Sequence, residues 1–325
     1  MKKAIVFGAG GFIGHHLVRR LKSEGYWVKG VDIRAPEFSE SVADRFVIGD
    51  LRRREVVSEV IEPGVSELYQ LAADMGGAGY LFTGDNDARV LHNSALINLH
   101  TAELAQLRGV GKLFYSSSAC IYPKHNQLDP ENPNCEESSA MPAEPDSEYG
   151  WEKLFSERLY AAFHRNHGLD VRIGRFHNVY GPESQWRGGR EKAPCAICKK
   201  VAEAGDGDAV EIWGDGKQTR SFLYIDDCLE GIRRLMASDY PNPVNIGSEE
   251  MVSIAGLVMM VGRLSGKRIH IRRVDGPVGV RGRNSDNRLM RKVTGWQPCV
   301  SLEEGIRRTY PWVEQQVSLA QLNVS

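Results

Sequence analysis

The run Lys3-Ala4-Ile5-Val6-Phe7 passes directly into Gly8-Ala9-Gly10-Gly11-Phe12-Ile13-Gly14, then into the helical spacing Leu17, Val18, Leu21. A glycine triplet is a weak signal by itself, but here it follows a strand and opens a helix. That order begins a parallel, doubly wound sheet. Gly8 allows the tight turn, Gly11 lets a backbone approach a diphosphate, and Gly14 lets the helix pack closely on the strand. The diphosphate would sit around Phe12 and Ile13, where unpaired N–H groups and the helix dipole favour negative charge.

A second strand, Trp27-Val28-Lys29-Gly30-Val31, ends at Asp32, where a carboxylate can bind the ribose diol of NAD and repel a 2′-phosphate. Asp32 therefore favours NAD over NADP, against the nearby Arg34. Phe46-Val47-Ile48 is a third strand, leading to Asp50 and Leu51, where an acid can meet the adenine amino group. Glu67 to Ala73 reads as a fourth, its small Ala72-Ala73 end leaving room for the cofactor; Lys112 to Ser118 is the next. Strands alternating with helical stretches predict an α/β chain with a Rossmann-type sheet and a site at the strands' carboxyl ends. We expect residues 1–182 to bind the cofactor, and 183–325 to form a smaller substrate lobe with segments near 222–250 crossing back.

Composition narrows the partners. Forty-one basic residues against 42 acidic ones leave a net charge of -1, so no nucleic-acid tail or membrane-surface patch is expected. No apolar run approaches the roughly 20 residues that span a bilayer, and the first apolar run is too short for a signal peptide. The six cysteines form no dense framework, which fits free thiols in the cytoplasm. Cys195 and Cys198 are a lone C-x-x-C, so no metal is expected there.

Tyr149 lies four residues ahead of Lys153, on one face of a helix, about three dozen residues after Ser116-Ser117-Ser118. An ammonium close to a phenol favours the phenolate and lowers its pKa from about 10. A strand-end hydroxyl can hydrogen-bond the same substrate oxygen. Together they can take a proton from a secondary alcohol while a hydride leaves for a nicotinamide.

The glycine loop, Asp32, the serine run and Tyr149/Lys153 together resemble the extended short-chain dehydrogenases/reductases that act on nucleotide sugars. The resemblance covers nearly the whole chain. Trp213-Gly214-Asp215-Gly216, Gln218-Thr219-Arg220-Ser221-Phe222 and Val244-Asn245-Ile246-Gly247 are similar to that group's substrate-lobe landmarks. Within the group, five further segments are similar to the epimerases that invert carbons 3 and 5 of GDP-mannose. They are Ala73-Asp74-Met75-Gly76-Gly77, Ser118-Ala119-Cys120-Ile121-Tyr122-Pro123, Pro142-Ala143-Glu144-Pro145, Gly189-Arg190-Glu191-Lys192-Ala193-Pro194 and the stretch from Gly279 to Asn287.

The resemblance implies that Tyr149 is the base on the 4-hydroxyl, with Lys153 lowering its pKa and holding the nicotinamide ribose. Ser118 would bond the reacting oxygen, and Cys120 and Lys192 would be the acid/base pair that inverts the ring carbons. Ala119, Asn178, Glu191, Ala193 and Lys200 would lie along the nucleotide sugar with Gln218, Thr219, Arg220 and Arg283, and Gly76 near the hexose. A homodimer is also implied.

The chemistry supports this division. A sugar C–H bond is far too weak an acid to exchange at neutral pH. Oxidising the 4-hydroxyl to a ketone makes both neighbouring protons acidic, and inversion then needs a base on one face and a proton donor on the other. A thiol (pKa about 8.5) and an amine (about 10.4) can serve if their surroundings move both toward neutrality.

Three other readings compete. A nucleotide-hexose 4-epimerase would leave Cys120 and Lys192 idle. A 4,6-dehydratase needs an Asp-Glu pair where Ala119-Cys120 stands. A silent nucleotide-binding scaffold has no use for Ser118, Tyr149, Lys153 and Cys120 together. On the residues alone, Cys120 could be a buried hydrophobe and Lys192 a diphosphate contact. We expect His177 to pack or hydrogen-bond locally.

Overall fold

The computed structural model describes residues 1–322; residues 323–325, the end of the expected substrate lobe, lie outside the described residues. The first half alternates strands and helices: β1 (Lys3–Phe7), α1 (Phe12–Ser23), β2 (Trp27–Asp32), β3 (Arg45–Ile48), α2 (Arg54–Val60), β4 (Glu67–Gln70), α3 (Ala78–Leu81), α4 (Asp87–Leu107), β5 (Lys112–Ser118), α5 (Glu148–His167) and β6 (Val171–Phe176). Short pieces follow: β7 (Val179–Tyr180), α6 (Ala193–Glu203), β8 (Ala209–Trp213), β9 (Thr219–Ser221), β10 (Leu223–Tyr224), α7 (Ile225–Ala237), β11 (Val244–Ile246) and β12 (Met251–Ser253). The chain then runs through α8 (Ile254–Ser265), β13 (His270–Val274), β14 (Gly282–Arg283), α9 (Arg288–Thr294) and α10 (Leu302–Leu322).

Seven parallel strands form the central sheet in the order β11-β6-β5-β4-β1-β2-β3. The order reverses beside β1, so the carboxyl ends of β1 and β4 flank a crevice. One face of the sheet buries Leu17, Val18, Ile232 and Leu235 of α1 and α7. The other buries Val57, Leu104 and Tyr160 of α2, α4 and α5. β1 can lie this close to α1 because position 14 is glycine: a Cβ there would meet the Gly8 carbonyl oxygen at 2.1 Å.

β4 ends at Gln70, three residues short of the sequence expectation. Leu71 N–H still bonds the Phe7 carbonyl, and the Gln70 side chain bonds backbone groups of Ala72, so residues 71–73 leave the ladder and turn toward the glycine loop. β11 pairs in parallel with β6, so residues 244–246 return to the sheet after the excursion that begins at α6. Outside the sheet, segments before and after β11 combine: α6, α8 and α10 stack together, β8 pairs with β13, and β9 lies between β12 and β14.

Beneath the end of β5 lies a buried ion pair. Arg175 Nε and Nη2 donate to Glu157 at 2.9 and 2.8 Å, and Arg175 Nη1 bonds the Tyr122 hydroxyl at 3.2 Å. Removing one partner strands a charge in a dry interior. We expect Glu157→Ala to lose about 3–5 kcal/mol of stability, measured by urea unfolding; a loss below about 1 kcal/mol, the range of exposed pairs, would show that the pair is solvated.

Candidate active site

Ser118 closes β5, and a single turn over Ala119–Ile121 follows, its first N–H groups capped by the serine: Cys120 N–H donates to Ser118 Oγ at 3.2 Å. α5 starts against this turn. Ser147 caps it, accepting the Gly150 N–H at 3.3 Å. A Cβ at position 150 would meet the Cys120 carbonyl oxygen at 2.2 Å, so only glycine lets the helix carrying Tyr149 press onto the turn carrying Cys120. Tyr149 and Cys120, both about 8% exposed, share one apolar cluster with Leu81 and Val90, edged by Met75, Tyr80 and Phe82.

Lys153 is buried one turn further along α5. Its Nζ donates to the Ser116 carbonyl at 2.7 Å and lies 5.6 Å from the centre of the Tyr149 ring. The expected lowering of the Tyr149 pKa is not found. Burial pushes the phenol well above the usual tyrosine range, and Cys120 and Glu152 push the same way against a hydrogen bond with Ser118. The ammonium is committed to a carbonyl, and burial lowers its own pKa. Desolvation therefore outweighs the cation. Glu152, overlooked in the sequence, is 1% exposed and held by Asn98 and Ser156 at 2.8 and 2.7 Å.

Cys120 has a polar partner as well as its apolar ones. Its sulfur accepts from Arg283 Nη1 at 3.3 Å. Arg283, 5% exposed, also donates through Nε to Gln127 at 2.7 Å and through Nη2 to the buried Asp146 carboxylate. Burial and Asp146 push the Cys120 thiol up, while Arg283 and Ser118 pull it down. Lys192 stands at the N-cap of α6, and burial lowers its ammonium while the Cys120 sulfur acts in the opposite sense. A thiol beside Tyr149 and an amine that interacts with that thiol are thus brought into one region.

The residues assigned to NAD fit it. Gly11 caps α1 with no side chain to occupy the first N–H groups, which leaves a donor nest for a diphosphate. Asp32 sits against the glycine loop, accepting the Gly10 N–H at 3.0 Å and the Arg34 N–H at 3.3 Å. Burial raises its pKa, the usual cost of a carboxylate placed for a diol. Asp50 is bound by Arg52 through both backbone and guanidinium, next to the buried Leu51.

Among the described residues, the buried polar atoms without partners include four in or next to the segments assigned to the nucleotide sugar. Glu191 Oε2, Gln218 Oε1, Ser221 Oγ and Asn284 Oδ1 are all of this kind. Three are pure acceptors, suited to the hydroxyl and N–H groups of a sugar and a base; Ser221 and Asn284 were not expected from the sequence. Arg220 lies beside Arg283, and burial first, then that second guanidinium, brings its pKa down to about 10. Asn178 donates to the Ser221 carbonyl, Thr219 to the Pro130 carbonyl, and Gln218 Nε2 to the Trp213 carbonyl. Lys200 is turned toward the neighbouring strand, its Nζ 2.7 Å from the Glu211 carbonyl. Ala193 opens α6 and Ala119 is buried in the turn. Gly76 borders the loop that Gly77 ties to the Arg190 carbonyl. His177 bonds Asn245, as expected of a local packing residue.

Residues 4–247 match the model of the NAD dependent epimerase/dehydratase family. The chain is 46% identical to GDP-mannose 3,5-epimerase of Arabidopsis thaliana over 317 residues, 97% of this chain and 83% of the relative. It is 44% identical to GDP-mannose 3,5-epimerase 1 of Oryza sativa subsp. japonica, over 96% of this chain and 82% of the relative. Among solved structures it is similar to UDP-glucuronic acid 4-epimerase from Bacillus cereus in complex with UDP-glucuronic acid and NAD. That likeness has a TM-score of 0.82 and 25% identity, covering 97% of this chain and 99% of the other.

Proposed function

The chain belongs to the NAD dependent epimerase/dehydratase family, and on that premise we propose that it is an NAD-dependent isomerase that inverts GDP-mannose at carbons 3 and 5. One observation carries the reading: Cys120 shares a sealed cluster with Tyr149 and has a guanidinium on its sulfur. A pure 4-epimerase has no use for such a thiol.

Tyr149 takes the proton of the 4-hydroxyl, and Ser118 holds the same oxygen. Bound NAD supplies the oxidation at carbon 4 and its reversal, and its pyridinium charge favours the phenolate. Lys153, fixed by the Ser116 carbonyl, orients the nicotinamide ribose. With a ketone at carbon 4, the protons on carbons 3 and 5 become acidic. The thiol is raised and the ammonium lowered, so Lys192 is suited to remove a proton as the free amine and Cys120 to deliver one from S–H. Glu191, Gln218 and Asn284 offer their unpartnered oxygens to the nucleotide sugar, and Arg220, its guanidinium held by the Thr219, Val278 and Val280 carbonyls, supplies positive charge for the diphosphate.

Labour divides along the chain. Residues 1–182, with the return near 222–250, carry the cofactor, and 183–325 mainly the nucleotide sugar. We read the chain as cytoplasmic: all six cysteines are unpaired, and no described helix is long and apolar enough to cross a membrane.

We also read it as a homodimer. Leu99, Trp151 and Phe155 expose large apolar surface on α4 and α5, beside a shallow strip lined by Leu91 and Ala95. A second copy presenting the same face would cover it. Trp151→Glu with Phe155→Glu should yield a monomer by light scattering; a dimer of unchanged mass would place the interface elsewhere.

Incubation with GDP-mannose in deuterated water tests the reaction. Inversion at carbons 3 and 5 brings deuterium to both. A product altered only at carbon 4, without label, would make the chain a 4-epimerase instead.

A further inference from the structure

Arg283 reaches Cys120 only because its other two nitrogens are held. Nε is fixed by Gln127, whose own amide is tied to the Tyr122 and Pro123 carbonyls at 3.0 and 3.2 Å. Nη2 is fixed by Asp146, whose second oxygen accepts the Ser147 hydroxyl at 2.8 Å. All four members are nearly sealed from solvent: Cys120 8%, Asp146 8%, Gln127 0% and Arg283 5% exposed. A planar guanidinium pinned at two corners has no rotation left, so Nη1 stays on the sulfur.

A lone buried guanidinium there would hold the sulfur as thiolate, which has no proton to give. Three further cations facing it point the same way. Lys192 comes from the start of α6, Arg220 from β9 and Lys153 from α5, with Tyr149 and Ser118 as the remaining polar neighbours and Cys135 interacting with the charge of Arg283. Asp146 is the carboxylate set against Arg283 and Arg220, while Glu152 and Glu157 lie beside Lys153.

We propose that Asp146 is a positioning residue: by engaging Nη2 of Arg283 it aims Nη1 at Cys120 and neutralises enough of the guanidinium charge to keep the sulfur protonated and able to donate. This rests on the reading of Cys120 as proton donor. At each inversion the Lys192 amine takes the ring proton, the S–H proton passes to the other face of the carbanion, and the thiolate left behind shares Arg283 with Asp146 until the surplus proton on Lys192, exchanging with solvent, restores it. The balance is poised because a buried like charge opposes ionisation while the bridging guanidinium supports it.

Titrating the thiolate tests this. Its ultraviolet absorbance is followed against pH in the NAD-bound enzyme, each protein being compared with its own Cys120→Ser counterpart. In Asp146→Asn we expect the Cys120 midpoint to fall by about one pH unit or more, and the pH profile of deuterium exchange to shift the same way. Asp146→Glu should return the midpoint most of the way. A loss of exchange in Asp146→Asn with the midpoint unmoved would reduce Asp146 to scaffolding and overturn the proposal, Cys120 keeping its role. Normal exchange in Cys120→Ala would instead remove the reading beneath it, whatever Asp146→Asn does. If the Asn variant does not fold, Asp146→Ser reads the same midpoint.

Discussion

Tyr149→Phe is expected to bind GDP-mannose and NAD normally and to do nothing with them. The phenyl ring keeps the apolar contacts with Leu81, Val90 and Cys120, so the helix start and the packing survive. What goes is the one hydroxyl that can take the 4-hydroxyl proton. General base catalysis contributes about 10²–10⁴-fold, and every later step needs the ketone. The loss should therefore appear equally in all readouts: no absorbance of reduced cofactor on mixing, no deuterium at carbon 3 or 5, no product. Exchange surviving at carbon 5 while oxidation is blocked would mean that the proton is labile for another reason, and the sequence of steps would have to be abandoned.

Cys120→Ala separates what Tyr149→Phe cannot. Oxidation at carbon 4 uses Tyr149, Ser118 and Lys153, which all remain, so reduced cofactor should still form and be reversible. Inversion loses its donor, and product formation should fall by about 10²–10⁴-fold. The cavity is small and Arg283 keeps Asp146 and Gln127 as partners, so stability should change little. A variant that epimerises at the normal rate would assign the proton to another group. Failure of oxidation as well would show that the sulfur shapes the tyrosine site rather than serving the ring.

The contrast between these two residues also shows what a sequence reveals. Features formed by neighbours in the chain were legible: Gly8 to Gly14 between β1 and α1, Asp32 closing β2, and Tyr149 one turn from Lys153 all rest on local spacing. The proton affinity of Tyr149 was not, because Lys153 is visible in the sequence while the burial that outweighs it is not. The Cys120 environment was hidden for a different reason. Arg283 meets Cys120, Gln127 and Asp146 across 163, 156 and 137 residues of chain; Cys120 and Gln127 sit in single short turns and Asp146 in a loop, none long enough to show periodicity. β7, β10 and β14 are two residues long, too short to alternate, yet β14 is what delivers Arg283. Family resemblance supplied Cys120, Lys192 and Arg283 as names; Asp146, Gln127 and Asn284 emerged only when the chain was folded.

The central claim is that a sulfur and a nitrogen work on opposite faces of one sugar ring. A crystal structure of the enzyme with NAD and GDP-mannose measures this directly. The account predicts Cys120 Sγ on one face of the hexose and Lys192 Nζ on the other, each near carbons 3 and 5, with the Tyr149 hydroxyl on the oxygen of carbon 4. Both groups on the same face, or either one beyond reach of the ring, would contradict it.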